Sequence, residues 1–196
     1  MSTALNLLPI YEDMNHDEYP HLFGKLLPAI LSSVEADVQL DVLEIGTLAG
    51  HVQEHLHRSL VSFQGPQGPR RIIGVDWFKD TTSYDYELPR LFKRIYSLGG
   101  LPYILGMDSK AALRFLEGTR LAFLFIDGDH SYEGALTDIQ NFVPLVVPDG
   151  LVCIHDENIV HVRRAIDESA DLFSDSCVWR SSPPNEYLTM WSGVVR

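Results

Sequence analysis

The chain has 196 residues, enough for one sizeable core and short for two. Its formal net charge of −12 argues against binding to nucleic-acid phosphates or anionic membrane surfaces, and no apolar run approaches the ~20 residues of a membrane-spanning helix. Two cysteines without a pattern, Cys153 and Cys177, and a start lacking a basic-then-apolar segment predict a cytoplasmic setting.

The first predicted element is a helix over about residues 21–34, with Leu22, Leu26, Leu27, Ile30 and Leu31 on one face. A strand over 42–45 follows, then a helix over 52–62 and a Gly/Pro-rich loop, "FQGPQGPR", over 63–70. The next pair is a strand over 71–75 and a helix over 88–97, followed by a short strand in "LPYILG" and a helix in "DSKAALRFLEG". "LAFLFID" is continuously apolar, as in a strand buried on both faces. A helix over 131–143, a strand in "GLVCIHD" and a helix over 159–173 come next. The tail, from Cys177 to Val195, reads as two strands joined by a Pro/Asn turn.

Five strand–helix units and a terminal hairpin predict an α/β fold: a doubly wound, mostly parallel, seven-stranded Rossmann-like sheet with helices on both faces and a C-terminal antiparallel hairpin. The division expected is a single domain, 1–196, with 1–36 an N-terminal segment and helix and 41–196 the core. Ligands of such sheets bind at the carboxyl ends of the strands. Every predicted end carries an acid: Glu44, Asp76, Asp108, Asp127 and Asp156.

The first strand runs into "EIGTLAGH". A dinucleotide fingerprint needs glycine at the first, third and sixth positions, which here are Gly46, Leu48 and His51. No Gly-Lys-Ser/Thr follows, so a phosphate-binding P-loop is excluded as well. What remains, Glu44, Gly46 and Gly50, lets backbone approach a ligand without a dedicated phosphate cradle. Asp76, closing the second strand, can accept hydrogen bonds from two ribose hydroxyls. A nucleoside without phosphates fits both features, and S-adenosylmethionine is one.

The segments "VLEIGTLAG", "IIGVDWF", "LGMDSKAAL", "LFIDGDHSYEGALTDIQNFVPLVVPDGLVCIHDEN" and "VRRAIDE" together resemble a class I S-adenosylmethionine-dependent methyltransferase. More narrowly, they resemble the small-domain group with "IDGDHSYEG" after the fourth strand, related to macrolide sugar O-methyltransferases. The resemblance implies that Glu44, Gly46 and Gly50 line the methionine side of S-adenosyl-L-methionine, with Thr47 a further cofactor-binding residue. It places Asp76 on the ribose and Trp77 beside the adenine, although an aromatic here also reads as core. It sets Asp108 on the adenine amine, with Ser109 next to it, Met107 against the ring and Asp127 beneath the methyl group. Leu48 departs from the glycine that many such enzymes carry at that point. A branched side chain at Gly46 is expected to block the cofactor with only a modest change in stability.

Methyl transfer to a hydroxyl needs alignment, exclusion of water and removal of a proton. Asp127 and Asp156 close neighbouring strands and would repel each other, so one is protonated or a divalent cation such as magnesium lies between them as a metal site. In the sugar O-methyltransferases that the chain resembles, a histidine base stands three residues after the first of these aspartates. Asp127 and His130 reproduce that spacing, while His155 stands where a second acid belongs. The catalytic candidates are therefore His130, Asp127 and, as a competing base, His155. His16, His21, His51, His55, His57 and His161 are expected on the surface or on helix faces. Asp127, Asp129 and Asp156 are alternatively helix caps, and Tyr132 and Glu133 face either the cleft or their own helix.

The function expected is methyl transfer to a hydroxyl of a small molecule or sugar, with no nucleic-acid or membrane partner and a homodimer as the default assembly. The alternatives are a binding module of the same fold without catalysis and another nucleotide-using α/β enzyme, such as an NAD-dependent one. The missing glycines weigh against the last, and His130 beside Asp127 against the first.

Overall fold

The computed structural model describes residues 40–60, 71–79, 83–101, 103–180 and 189–196. The helix expected over 21–34, His16, His21 and the Gly/Pro-rich stretch lie outside the described residues.

The elements in chain order are β1 (Asp41–Ile45), α1 (His51–Leu60), β2 (Ile72–Asp76), α2 (Leu88–Ser97), β3 (Tyr103–Gly106), α3 (Ser109–Ala112), β4 (Leu121–Ile126), α4 (Tyr132–Phe142), β5 (Val146–His155), α5 (Val160–Glu168), β6 (Phe173–Arg180) and β7 (Thr189–Val195). They form one seven-stranded sheet in the order β3-β2-β1-β4-β5-β7-β6. The first five strands are mutually parallel, and β7 runs antiparallel to both β5 and β6. The chain steps outward from β1 to β2 and β3, then crosses to the far side of β1 for β4. That reversal opens a crevice between the ends of β1 and β4.

The register brings the strand ends level. Ile45 pairs with Val75 on one side and Ile126 on the other, and Ile126 pairs with Ile154. The glycine turn, Asp76, Asp127 and His155 therefore emerge along one edge. All six residues of β4 are buried, including Phe123 and Phe125. A strand with helices on both sides has no solvent face, hence its unbroken apolar run. Phe142 of α4 fills the core beside it.

Three elements differ from the expected ones. β5 begins early, at Val146, and its pairing with β4 slips between Leu121 and Phe123, so Pro148 and Asp149 bulge outward. Proline has no N–H for the ladder and Asp149 turns to φ 64°, so a bulge is the arrangement that tolerates both. The helix expected in "DSKAALRFLEG" is one α turn, Ser109–Ala112, followed by a 3-10 turn, Leu113–Phe115. The final helix stops at Glu168, and Phe173 opens β6, where its ring meets Trp191 edge-on at 4.6 Å. Tertiary packing there overrides helical periodicity.

Candidate active site

The glycine turn is built on backbone. Gly46 N–H donates to Val75 O at 2.8 Å and Gly50 N–H to Thr47 O at 2.8 Å, with φ 87° and 76° at the two glycines. A Cβ on Gly46 would stand 1.8 Å from the carbonyl oxygen of Asp127. The room that the sequence reading assigned to the cofactor is thus taken first by the end of β4, and the expectation of a mild structural effect at Gly46 is corrected. Leu48 also lies in the left-handed region, at φ 42°, which accounts for glycine being the favoured residue at this point.

Asp76 is clamped by the same turn. Leu48 N–H donates to its Oδ2 at 2.7 Å and Phe78 N–H to its Oδ1 at 2.9 Å. Both amides orient the carboxylate at the crevice, where each oxygen keeps lone-pair capacity for a ribose hydroxyl. Trp77 is not core: it is 57% exposed, with Lys79 Nζ 5.3 Å from its ring centre. Met107 is half-buried against the main core. Asp108 caps α3 by accepting Lys110 N–H at 3.0 Å.

Two expected cofactor contacts turn inward instead. The Thr47 hydroxyl is buried and donates to Val75 O at 3.3 Å. The Ser109 hydroxyl donates to Asp138 Oδ1 at 2.6 Å. Glu44 is buried beneath the turn with no hydrogen-bond partner for Oε2. Burial holds its carboxyl well above the usual range; Gln53 opposes that shift, and Asp127 and Asp76 add to it.

Across the crevice four side chains converge. His130 Nε2 lies 3.3 Å from Asp127 Oδ1 and 3.3 Å from Asp156 Oδ2. His155 Nδ1 lies 3.6 Å and 3.2 Å from the same two oxygens. His155 is close without the alignment of a hydrogen bond, and both its ring nitrogens are buried without a bonded partner. Burial raises the Asp127 pKa, opposed by His155 and by the hydrogen bond with His130. Asp156 takes φ 55°, a backbone conformation that costs energy in a non-glycine residue and clusters at functional sites.

The capping alternatives resolve separately. Ser131 caps α4 by accepting Gly134 N–H at 3.0 Å, and Asp129 braces Ser131 by accepting its N–H at 2.9 Å. That backbone hydrogen bond holds the Asp129 pKa low. Asp127 is thereby left to the crevice. The Asp156 contribution to the next helix is its backbone carbonyl, which accepts Ile159 N–H at 2.9 Å. Tyr132 points to α5: its hydroxyl donates to Glu168 Oε2 at 2.5 Å, and Arg164 lies 4.0 Å over its ring. His57, expected on the surface or on a helix face, lies on the buried face of α1, 5% exposed.

Sequence reasoning missed Gln53, Glu157 and Asp138, all buried. A signal existed for Asp138, which falls on the inward stripe Ala135, Ile139, Phe142 of α4. An acid on an apolar stripe marks a buried polar contact.

The sequence pattern of the family described as "Methyltransferase domain" matches residues 43–157, more than half of the chain. The chain belongs to this methyltransferase-domain family. A search of curated proteins returned no match. Among solved structures, the methyltransferase is similar to cofactor-bound Rv0187 from MTB, with a TM-score of 0.69, 18% identity, and 98% of this chain and 88% of that one covered. It is also similar to an O-methyltransferase from Bacillus cereus in complex with SAH, with a TM-score of 0.64, 16% identity, and coverage of 100% and 91%. A third is apo CalS11, a TDP-rhamnose 3'-O-methyltransferase of calicheamicin biosynthesis, with a TM-score of 0.65, 18% identity, and coverage of 95% and 83%. At these identities the likeness establishes the shared fold. No described helix is long and apolar enough to cross a membrane.

Proposed function

We propose that the methyltransferase takes its methyl group from S-adenosylmethionine and delivers it to a hydroxyl oxygen of a small molecule or sugar. The observation that carries this reading is His130, whose Nε2 is held 3.3 Å from the carboxylates at the ends of two adjacent strands, across the crevice from the glycine turn and Asp76. Neighbours named as O-methyltransferases, one of them acting on a sugar, support oxygen as the acceptor. The net charge of −12 supports a small acceptor over a nucleic acid.

The cofactor fits the methionine end of the site. Glu44 Oε2 is a buried acceptor lacking a partner beside a glycine turn, which suits the ammonium of an amino acid. The acceptor oxygen attacks the methyl carbon as the carbon–sulfur bond breaks, and its proton passes to His130, whose side chain is 42% exposed and thus reachable. Asp127 and Asp156 stabilise the imidazolium that forms.

Asp127, His130 and Asp156 place three ligand atoms within 4.8 Å of one another, a spacing that fits a divalent cation. With an imidazole in the set, the donors suit manganese or another borderline ion better than magnesium, which favours an all-oxygen shell. A bound cation would take His130 as a ligand in place of its role as base, and would supply positive charge that lowers the pKa of an acceptor hydroxyl.

Calorimetry with S-adenosylhomocysteine and NAD, with and without manganese, tests the cofactor; preference for NAD would overturn the reading. Transfer of labelled methyl to a panel of sugar and phenol hydroxyls tests the base. His130→Ala should keep the affinity for S-adenosylhomocysteine and lower turnover by roughly 10²–10⁴. Loss of turnover in His155→Ala with His130→Ala unaffected would move the base to β5. Binding of S-adenosylhomocysteine with no transfer to any hydroxyl in the panel would favour the binding module.

A further inference from the structure

Asp138 lies in the middle of α4, 3% exposed, yet it touches both loops of the ligand edge. Its Oδ1 accepts the Ser109 hydroxyl at 2.6 Å, a contact spanning 29 residues of sequence. Its Oδ2 lies under Gly128, so close that a Cβ on that glycine would stand 3.0 Å from the oxygen. Gly128 follows Asp127, and Ser109 follows Asp108. One buried carboxylate therefore bonds the segment after β3 and packs beneath the segment after β4.

The local geometry around Asp108 gives this tie a consequence. Asp108 uses Oδ1 to accept Lys110 N–H, which leaves its second carboxylate oxygen for a ligand. The direction of that oxygen is set by the backbone of a single α turn, Ser109–Ala112, too short to hold its own orientation. The side-chain bond from the first helical residue, Ser109, into the core supplies the missing constraint. Burial pushes the Asp138 carboxyl up to about 6, opposed by the Ser109 hydrogen bond and Lys110 and assisted by Asp108 and Asp129. It is thus chiefly an ionised acceptor at neutral pH. A carboxylate kept in so apolar a place costs stability, and the Ser109 hydroxyl bonded to it offsets part of that cost.

We infer that Asp138 and Ser109 are positioning residues for cofactor selectivity: they brace Asp108 so that its carboxylate receives the exocyclic amine of the purine and rejects a purine with a 6-oxo group. This rests on the S-adenosylmethionine reading. A 6-amino group offers the carboxylate an N–H donor, whereas a 6-oxo group presents a second acceptor to it.

The test compares two ligands in calorimetry at neutral pH, S-adenosylhomocysteine and its deaminated analogue S-inosylhomocysteine. The wild type should prefer the amine by at least about tenfold. Ser109→Ala and Asp138→Ala should weaken S-adenosylhomocysteine about tenfold while leaving S-inosylhomocysteine within about twofold, so that selectivity collapses. Asp138→Asn keeps an acceptor for the Ser109 hydroxyl and should restore the selectivity. Ser109 is only half-buried, so Ser109→Ala carries the test should Asp138→Ala fail to fold. Equal weakening of both ligands would make the contact merely structural and overturn the inference, as would unchanged binding of both in Ser109→Ala. A wild type that binds both ligands equally also overturns it, with the cofactor reading left standing. A wild type that binds neither overturns the cofactor reading itself, and the inference with it.

Discussion

The two halves of the ligand edge are built by different means. At the ends of β1 and β2, backbone does the shaping: left-handed residues at Gly46, Leu48, Gly50 and Phe78, with two amides fixing Asp76. At the ends of β4 and β5, side chains do it: each of two imidazoles lies within 3.6 Å of both of two carboxylates, with a single left-handed residue, Asp156, among them. A backbone-built half tolerates few substitutions but asks little of its surroundings. A half built from charges depends on protonation and on its partners, which is what proton transfer requires. Under the proposed function, the first half would hold the cofactor and the second would move the proton.

The sharpest way to break the contrast is at Gly46, where the halves meet. Gly46→Val drives a side chain into the Asp127 carbonyl and should destabilise the fold by about 4 kcal/mol or more, read as a large drop in the thermal midpoint. A variant that melts within a few degrees of the wild type would show that β1 and β4 can part at this point.

A smaller effect is expected at Asp76. Asp76→Ala removes an acceptor for the ribose hydroxyls and should weaken S-adenosylhomocysteine at least about tenfold, from hydrogen bonds worth about 1.5–3 kcal/mol each. The midpoint should move less than for Gly46→Val. Unchanged affinity would remove Asp76 from the cofactor site.

The smallest effect distinguishes the halves by pH. His57, in the helix after β1, is buried and its pKa is pushed down to about 4 by desolvation. Its unfolded form takes up a proton first as pH falls, so its contribution to stability is present above about pH 6.5 and is lost between there and about pH 4, by up to about 3 kcal/mol. Asp138, in the helix after β4, has its pKa raised to about 6, so its unfolded form releases a proton first and stability falls as pH rises through the window up to about 6. The two slopes oppose each other. In urea titrations at several pH values, His57→Leu should leave a protein whose stability declines from about pH 4 to 6 more steeply than that of the wild type. An unaltered pH profile would mean that His57 is protonated as readily in the folded chain as in the unfolded one.

How much could be read in advance follows from the same physics. The alternation of apolar runs and amphipathic segments foretold the parallel sheet, because burial on both faces demands an unbroken run such as "LAFLFI". Glu44, Gly46, Asp76 and Asp127 could be placed because strand ends are predictable positions and glycine spacing reports backbone shape. Element ends were less legible: β5 bulges at Pro148 and the last helix yields to β6 at Phe173, since both depend on what the neighbouring strand offers.

The sequence by itself determined the fold class, the edge along which the strand ends emerge and the residue types gathered there, since period, turn chemistry and spacing are local properties of the chain. Only the tertiary structure decided which side chains meet. It turned Thr47 and Ser109 inward, carried Trp77 out of the core, buried His57 and set His130 between Asp127 and Asp156. It also joined Ser109 to Asp138 across 29 residues. Those outcomes depend on register between strands and on the direction of each side chain, and a contact between distant segments exists only once the sheet has brought them side by side.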